Sequence, residues 1–84
     1  MRPYAVFISE QAIASAPRSG QAREQLMRFI RGLADNPNAI GDFKETDNAG
    51  RIVQVKIVGR YAVTFWAEHA VTEVKVTHIK SADK

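Results

Sequence analysis

Cysteine is absent from this 84-residue chain, so neither a disulfide nor cysteine-ligated zinc can staple it. No apolar run approaches the length of about 20 residues needed to cross a bilayer. The opening Met1-Arg2-Pro3-Tyr4 leads straight into a strand pattern, without the layout of a signal peptide. Together these absences predict a reducing, cytoplasmic setting with no membrane partner. Gly-rich phosphate loops, a nucleophile elbow and HExxH are missing as well, which removes the enzyme classes that depend on them. Asp42, Glu45 and Asp47 do not have calcium-loop spacing, and no carboxylate–histidine cluster accompanies them. A solvated loop is therefore expected there, not a metal site. Aromatic residues are scarce, with one Trp, two Tyr and four Phe.

A chain this short makes one domain, spanning 1–84, and buries roughly 60% of its unfolded surface. A thin core of this kind leaves a net stability of only a few kcal/mol. The formal charge of +3 is mildly basic, and it permits nucleic acid or an acidic protein as partner.

The clearest pattern lies in the last third. Residues 51–58, 61–67 and 72–79 read as three successive antiparallel strands, apolar residues alternating with polar, basic or small ones. One parity holds Val53, Val55 and Ile57, then Tyr61, Val63 and Phe65, then Val74 and Val76. The other holds Gln54, Lys56, Ala62, Thr64, Trp66, Lys75 and Thr77. A two-residue loop at Gly59-Arg60 would set Lys56 opposite Val63 and carry a charge into the core. A three-residue loop, Val58-Gly59-Arg60, instead pairs Ile57 with Tyr61 and Val55 with Val63. A four-residue loop, Glu68-His69-Ala70-Val71, pairs Phe65 with Val74 and Val63 with Val76. These registers predict a polar, basic face with Lys56 opposite Ala62, Thr64 between Gln54 and Lys75, and Trp66 near Glu73.

Upstream, Tyr4 to Ile8 is a short β-prone run, and Ser9 then has the chemistry of a helix N-cap. A short helix is expected over 10–16, limited by Pro17, with turn chemistry at Arg18-Ser19-Gly20. A longer helix is expected over 21–35, where Ala22, Leu26, Phe29, Ile30 and Leu33 make an apolar stripe ended by Asn36-Pro37. Residues 39–50 read as a polar loop with a turn at Asp47-Asn48-Ala49-Gly50. The order strand, helix, helix, strand, strand, strand predicts a two-layer α+β domain. Its helical hairpin would cover one face of a mainly antiparallel four-stranded sheet and leave the other bare.

This order, with Leu33-Ala34-Asp35-Asn36-Pro37, the segment from Val55 to Phe65 and the final Val74-Lys75-Val76-Thr77-His78-Ile79, resembles the RelE/ParE superfamily of bacterial toxins. The resemblance implies the toxin of a toxin–antitoxin pair, partnered by its cognate antitoxin. A RelE-like member would inhibit translation by binding, and in the active members cleaving, ribosome-engaged mRNA. A ParE-like member would inhibit DNA gyrase without catalysis, neither activity needing a metal or an organic cofactor, and a degenerate member would retain only antitoxin binding. Ala62 and Ile79 stand where the family pattern has arginines, and the sequence ends at Lys84, short of the far C-terminal aromatic of some members. A homodimer stays open.

Cleavage through the 2′-OH requires a base, an acid and positive charge at the phosphorane. Lys56 and His78 are the candidates for chemistry, and Gln54, Lys56, Arg60, Lys75 and Lys80 for holding phosphate. Each of those cations could equally belong to an ordinary solvated face. His78 has the parity of Val74 and Val76, so it is expected on the helix-covered side, at the core's edge. Trp66, with Thr64, is the expected partner contact, although an indole can also stack on a base. His69 is expected to be an exposed loop residue.

Overall fold

The computed structural model describes residues 2–82, so the expectations about Met1 and Lys84 fall outside it. Strand β1 (Ala5–Ile8) leads through Ser9 into helix α1 (Glu10–Ser15), and helix α2 (Gly20–Gly32) follows. Ser9 is extended, and its hydroxyl accepts the Ala12 N–H at 3.1 Å, as its N-cap chemistry predicts. Helix α2 stops at Gly32 rather than Asp35. Its last carbonyls are taken by turns, including Asn36 N to Gly32 O at 3.1 Å. The stripe works as read: Leu26, Ile30 and Leu33 are buried, and Phe29 meets Phe65 edge-on at 5.6 Å.

The fold is α+β, but the sheet has five strands and is mixed. The loop at 39–50 contains strand β2 (Phe43–Thr46), exposed along its whole length. Such a strand gives no burial alternation to recognise. Strands β3 (Ile52–Val58), β4 (Tyr61–Glu68) and β5 (Glu73–Ser81) complete the sheet, in the order β1-β5-β4-β3-β2. Among the described residues only β1 with β5 is parallel. Both helices pack on one face, where Ala12, Ala16, Leu26, Ile30 and Leu33 meet Val63, Phe65, Val74, Val76 and Ile79. Among the described residues no helix is long and apolar enough to cross a membrane.

Two registers differ from expectation. The β3–β4 loop is the two-residue Gly59-Arg60, so Lys56 lies opposite Val63 and Gln54 opposite Phe65. Gly59 has φ +61° and Arg60 does not have a positive φ, the pattern of a type II′ hairpin turn. Val53, Val55 and Ile57 therefore face away from the helices. Val53 and Val55 are still 3% and 2% exposed, outside the helix–sheet core. Their registered neighbours on that second face are Glu45, Phe43 and Thr64.

The charge does not enter the core because α2 covers β3 only in part: Val58 packs against the helix–sheet core, whereas Val53 and Val55 lie outside it. The segment before β2 roofs the rest of the strand. Gly41 N donates to Gln54 Oε1 at 2.9 Å, and Lys56 pairs with Asp42 at 3.4 Å while its side chain stays 38% exposed.

The β4–β5 loop is displaced by one residue, to 69–72, with Thr72 at φ +53°. Phe65 thus pairs with Val76, not Val74, and Val63 with Ile79, not Val76. Between these pairs lies a β-bulge in which Thr77 is the extra residue. Its carbonyl accepts the Ser9 hydroxyl at 2.9 Å.

Candidate functional site on the bare sheet face

The bulge reverses the face expected for His78. It stands opposite Thr64 on the side without helices, and it is half-buried there. An extra residue on one strand advances the side-chain alternation by a step, so His78 moves outward and Ile79 inward. The apolar spacing carries the signal: Val74 and Val76 are two apart, but the next core residue is Ile79.

His78 lines a cleft of about 470 Å³ with Thr64, Thr77, Lys80, Glu45 and Asp47, floored in part by Val53. Its Nδ1 lies 3.1 Å from the Thr77 hydroxyl. Lys80, registered opposite Ala62, is exposed and has no ion-pair partner among the described residues. Glu45 arrives from β2, opposite Val53. Asp47 begins the turn into β3, its Oδ1 accepting the N–H groups of Ala49 and Arg51 at 2.9 Å each. Glu45 and Asp47 read as solvated loop residues in the sequence, because β2 was not visible there. Phe43, alternating with Glu45 on an edge strand, was the available clue.

Beside the cleft on the same face, Trp66 pairs in register with Lys75. The Arg51 guanidinium lies 3.8 Å from the Trp66 ring centroid, and the Lys75 ammonium 5.3 Å from it. Asp47 steadies Arg51, with Oδ2 at 3.7 Å from Nε. The indole Nε1 is buried and has no hydrogen-bond partner among the described residues.

No protein-family model, curated protein or solved structure matches the chain.

The expected cation set is divided by the sheet. Gln54 and Lys56 lie on the helix side, tied to Gly41 and Asp42, away from His78. The Asp42 carboxyl is held below the usual carboxylate range, chiefly by the Ile57 N–H donating to it at 2.7 Å and further by Lys56, with desolvation opposing. Lys75 is on the bare face, but it faces Glu68 at 3.2 Å and Glu73 at 3.9 Å, which offset its charge. Arg60 sits in the β3–β4 turn, where its carbonyl accepts the Ala82 N–H at 2.7 Å. His69 is exposed as expected, and its Nδ1 also meets the Tyr4 hydroxyl at 2.8 Å.

The described residues contain no group of three or more His, Cys, Asp or Glu placed to hold a metal ion. What the face does assemble is two carboxylates, an imidazole, an ammonium and three threonine hydroxyls around one cleft. That set can move protons and hold an anionic phosphate.

Proposed function

We propose that this protein is a RelE-like toxin that binds ribosome-engaged mRNA and cuts it on the bare face of the sheet. The carrying observation is that Glu45, His78 and Lys80 line the same cleft, which is outside the helix-covered core. In this reading Glu45 takes the proton from a ribose 2′-OH, and the 2′ oxygen attacks the adjacent phosphorus. Lys80 offsets the charge that builds on the phosphorane. His78 gives a proton to the departing 5′ oxygen, leaving a 2′,3′-cyclic phosphate and a 5′-OH. The sequence resemblance to RelE/ParE toxins supports the same reading, and with it a cytoplasmic location and a cognate antitoxin that covers this face.

The test is purified protein added to a translating extract, with the message mapped by primer extension. Cuts should appear only with ribosomes present, and His78→Ala and Glu45→Gln should each lower the rate by roughly 10²–10⁴-fold, the range for one acid–base group. Intact message at high protein concentration rejects the reading.

One observation favours a second reading, a ParE-like gyrase inhibitor without catalysis. Lys56 and Lys75, two of the sheet's cations, are engaged by carboxylates, so the positive potential available to RNA is reduced. Accumulated gyrase–DNA cleavage complexes would support it, and unchanged supercoiling would remove it. Absence of both activities, with antitoxin binding kept, would identify a degenerate member.

A further inference from the structure

We infer that Arg51 and Trp66 form a stacking platform for a nucleobase of single-stranded RNA, beside the phosphate-handling cleft. The inference rests on the reading of that cleft as an RNA site and specifies how the strand would be gripped. Three observations on the bare face carry it. The guanidinium lies over the indole at 3.8 Å, close enough for stacking rather than a distant cation contact. The Arg51 side chain remains 39% exposed, so part of it is open to solvent. Its position is built in advance, because Asp47 holds Nε through one carboxylate oxygen and organises the turn through the other.

A planar guanidinium above an indole presents a broad, polarisable surface to a base, as aromatic and arginine planes do in single-strand recognition. The neighbouring cleft shares Asp47 and the strand bearing Trp66 and Thr64, so a base on the platform and a phosphate near Lys80 belong to one continuous strand path. A platform of this kind takes a base by its flat face, which in a duplex is covered by the stacked neighbours. The ligand is therefore an unpaired nucleotide, with purines stacking better than pyrimidines.

Trp66 is the sole tryptophan, so its fluorescence reports on this place alone. The experiment titrates the protein with an adenine tetraribonucleotide and with the same ribose-phosphate tetramer lacking bases, both carrying 2′-O-methyl groups to block cleavage. The adenine tetramer should quench Trp66 and bind about tenfold more tightly than the abasic one, as expected for one stacked base. Arg51→Lys, which retains the charge but not the plane, should remove most of that difference. So should Trp66→Phe, read by anisotropy of labelled RNA; both changes are mild enough to leave the fold in place. Equal affinity for the two tetramers, or binding of neither, overturns the inference. A protein that leaves message intact in extract yet still prefers the adenine tetramer keeps the platform and loses the cleavage reading.

Discussion

Ser9 ties two distant features together, and its removal separates them quantitatively. Its hydroxyl accepts the Ala12 N–H at the start of α1 and donates to the Thr77 carbonyl at the β5 bulge. Ser9→Ala deletes both bonds. Loss of an N-cap costs about 1 kcal/mol, and the partly buried bond to Thr77 contributes about another 1 kcal/mol. For a domain of this size the combined loss of about 2 kcal/mol lowers Tm by roughly 10 °C. Ser9→Asp resolves the two contributions. A carboxylate caps the helix but has no proton for Thr77, so about half of the lost stability should return. Ser9→Thr retains both functions and should resemble the wild type. Urea unfolding with matched m-values measures all three. If Ser9→Asp proves as stable as Ser9→Thr, the bond to the Thr77 carbonyl contributes nothing, and Ser9 acts as an N-cap alone.

Two further outcomes test how β3 is roofed. A Cβ at Gly41 would lie 2.5 Å from the Val55 carbonyl oxygen, backbone against backbone, so Gly41→Ala should cost about 1–3 kcal/mol in urea titrations. Wild-type stability there would mean that the segment lifts off β3 without penalty. Asp42 has a depressed folded-state pKa, so its contribution is full above the usual carboxylate range and is lost as pH falls through the folded value. Asp42→Asn should therefore be less stable than wild type near neutrality, with the gap closing on acidification. A gap that stays constant between pH 7 and the acid limit would refute the assignment.

Several features were legible because local chemistry specifies them. Ser9 is the N-cap that its position announces, directly before α1, and the stripe through Leu26, Ile30 and Leu33 needs only its helical spacing. The turn closing at Gly50 forms with Gly50 N on Asp47 O at 3.0 Å, where Gly50 takes φ +79°. Val63, Phe65, Val74 and Val76 are in the core as their alternation suggests. Strand β3 was harder. Its pattern states that Val53 and Val55 are buried, which is true, but not which face buries them. Avoiding a lysine opposite Val63 pointed to the wrong loop, because that argument assumed helices over the whole sheet. The candidate site depended on the same step: once β3 and the bulge are placed, Lys56 and Gln54 leave the bare face and His78 joins it.

Sequence alone settled the kinds and order of the elements other than β2, and much of the central core, since each depends on neighbours within a few positions. Tertiary structure decided which side of the sheet each chemical group occupies. That choice depends on how far two short helices extend across five strands, and on the extra residue at the β5 bulge, whose carbonyl accepts a hydroxyl 68 positions away. Alternation has a period of two and is blind to which face is covered; only packing breaks that symmetry.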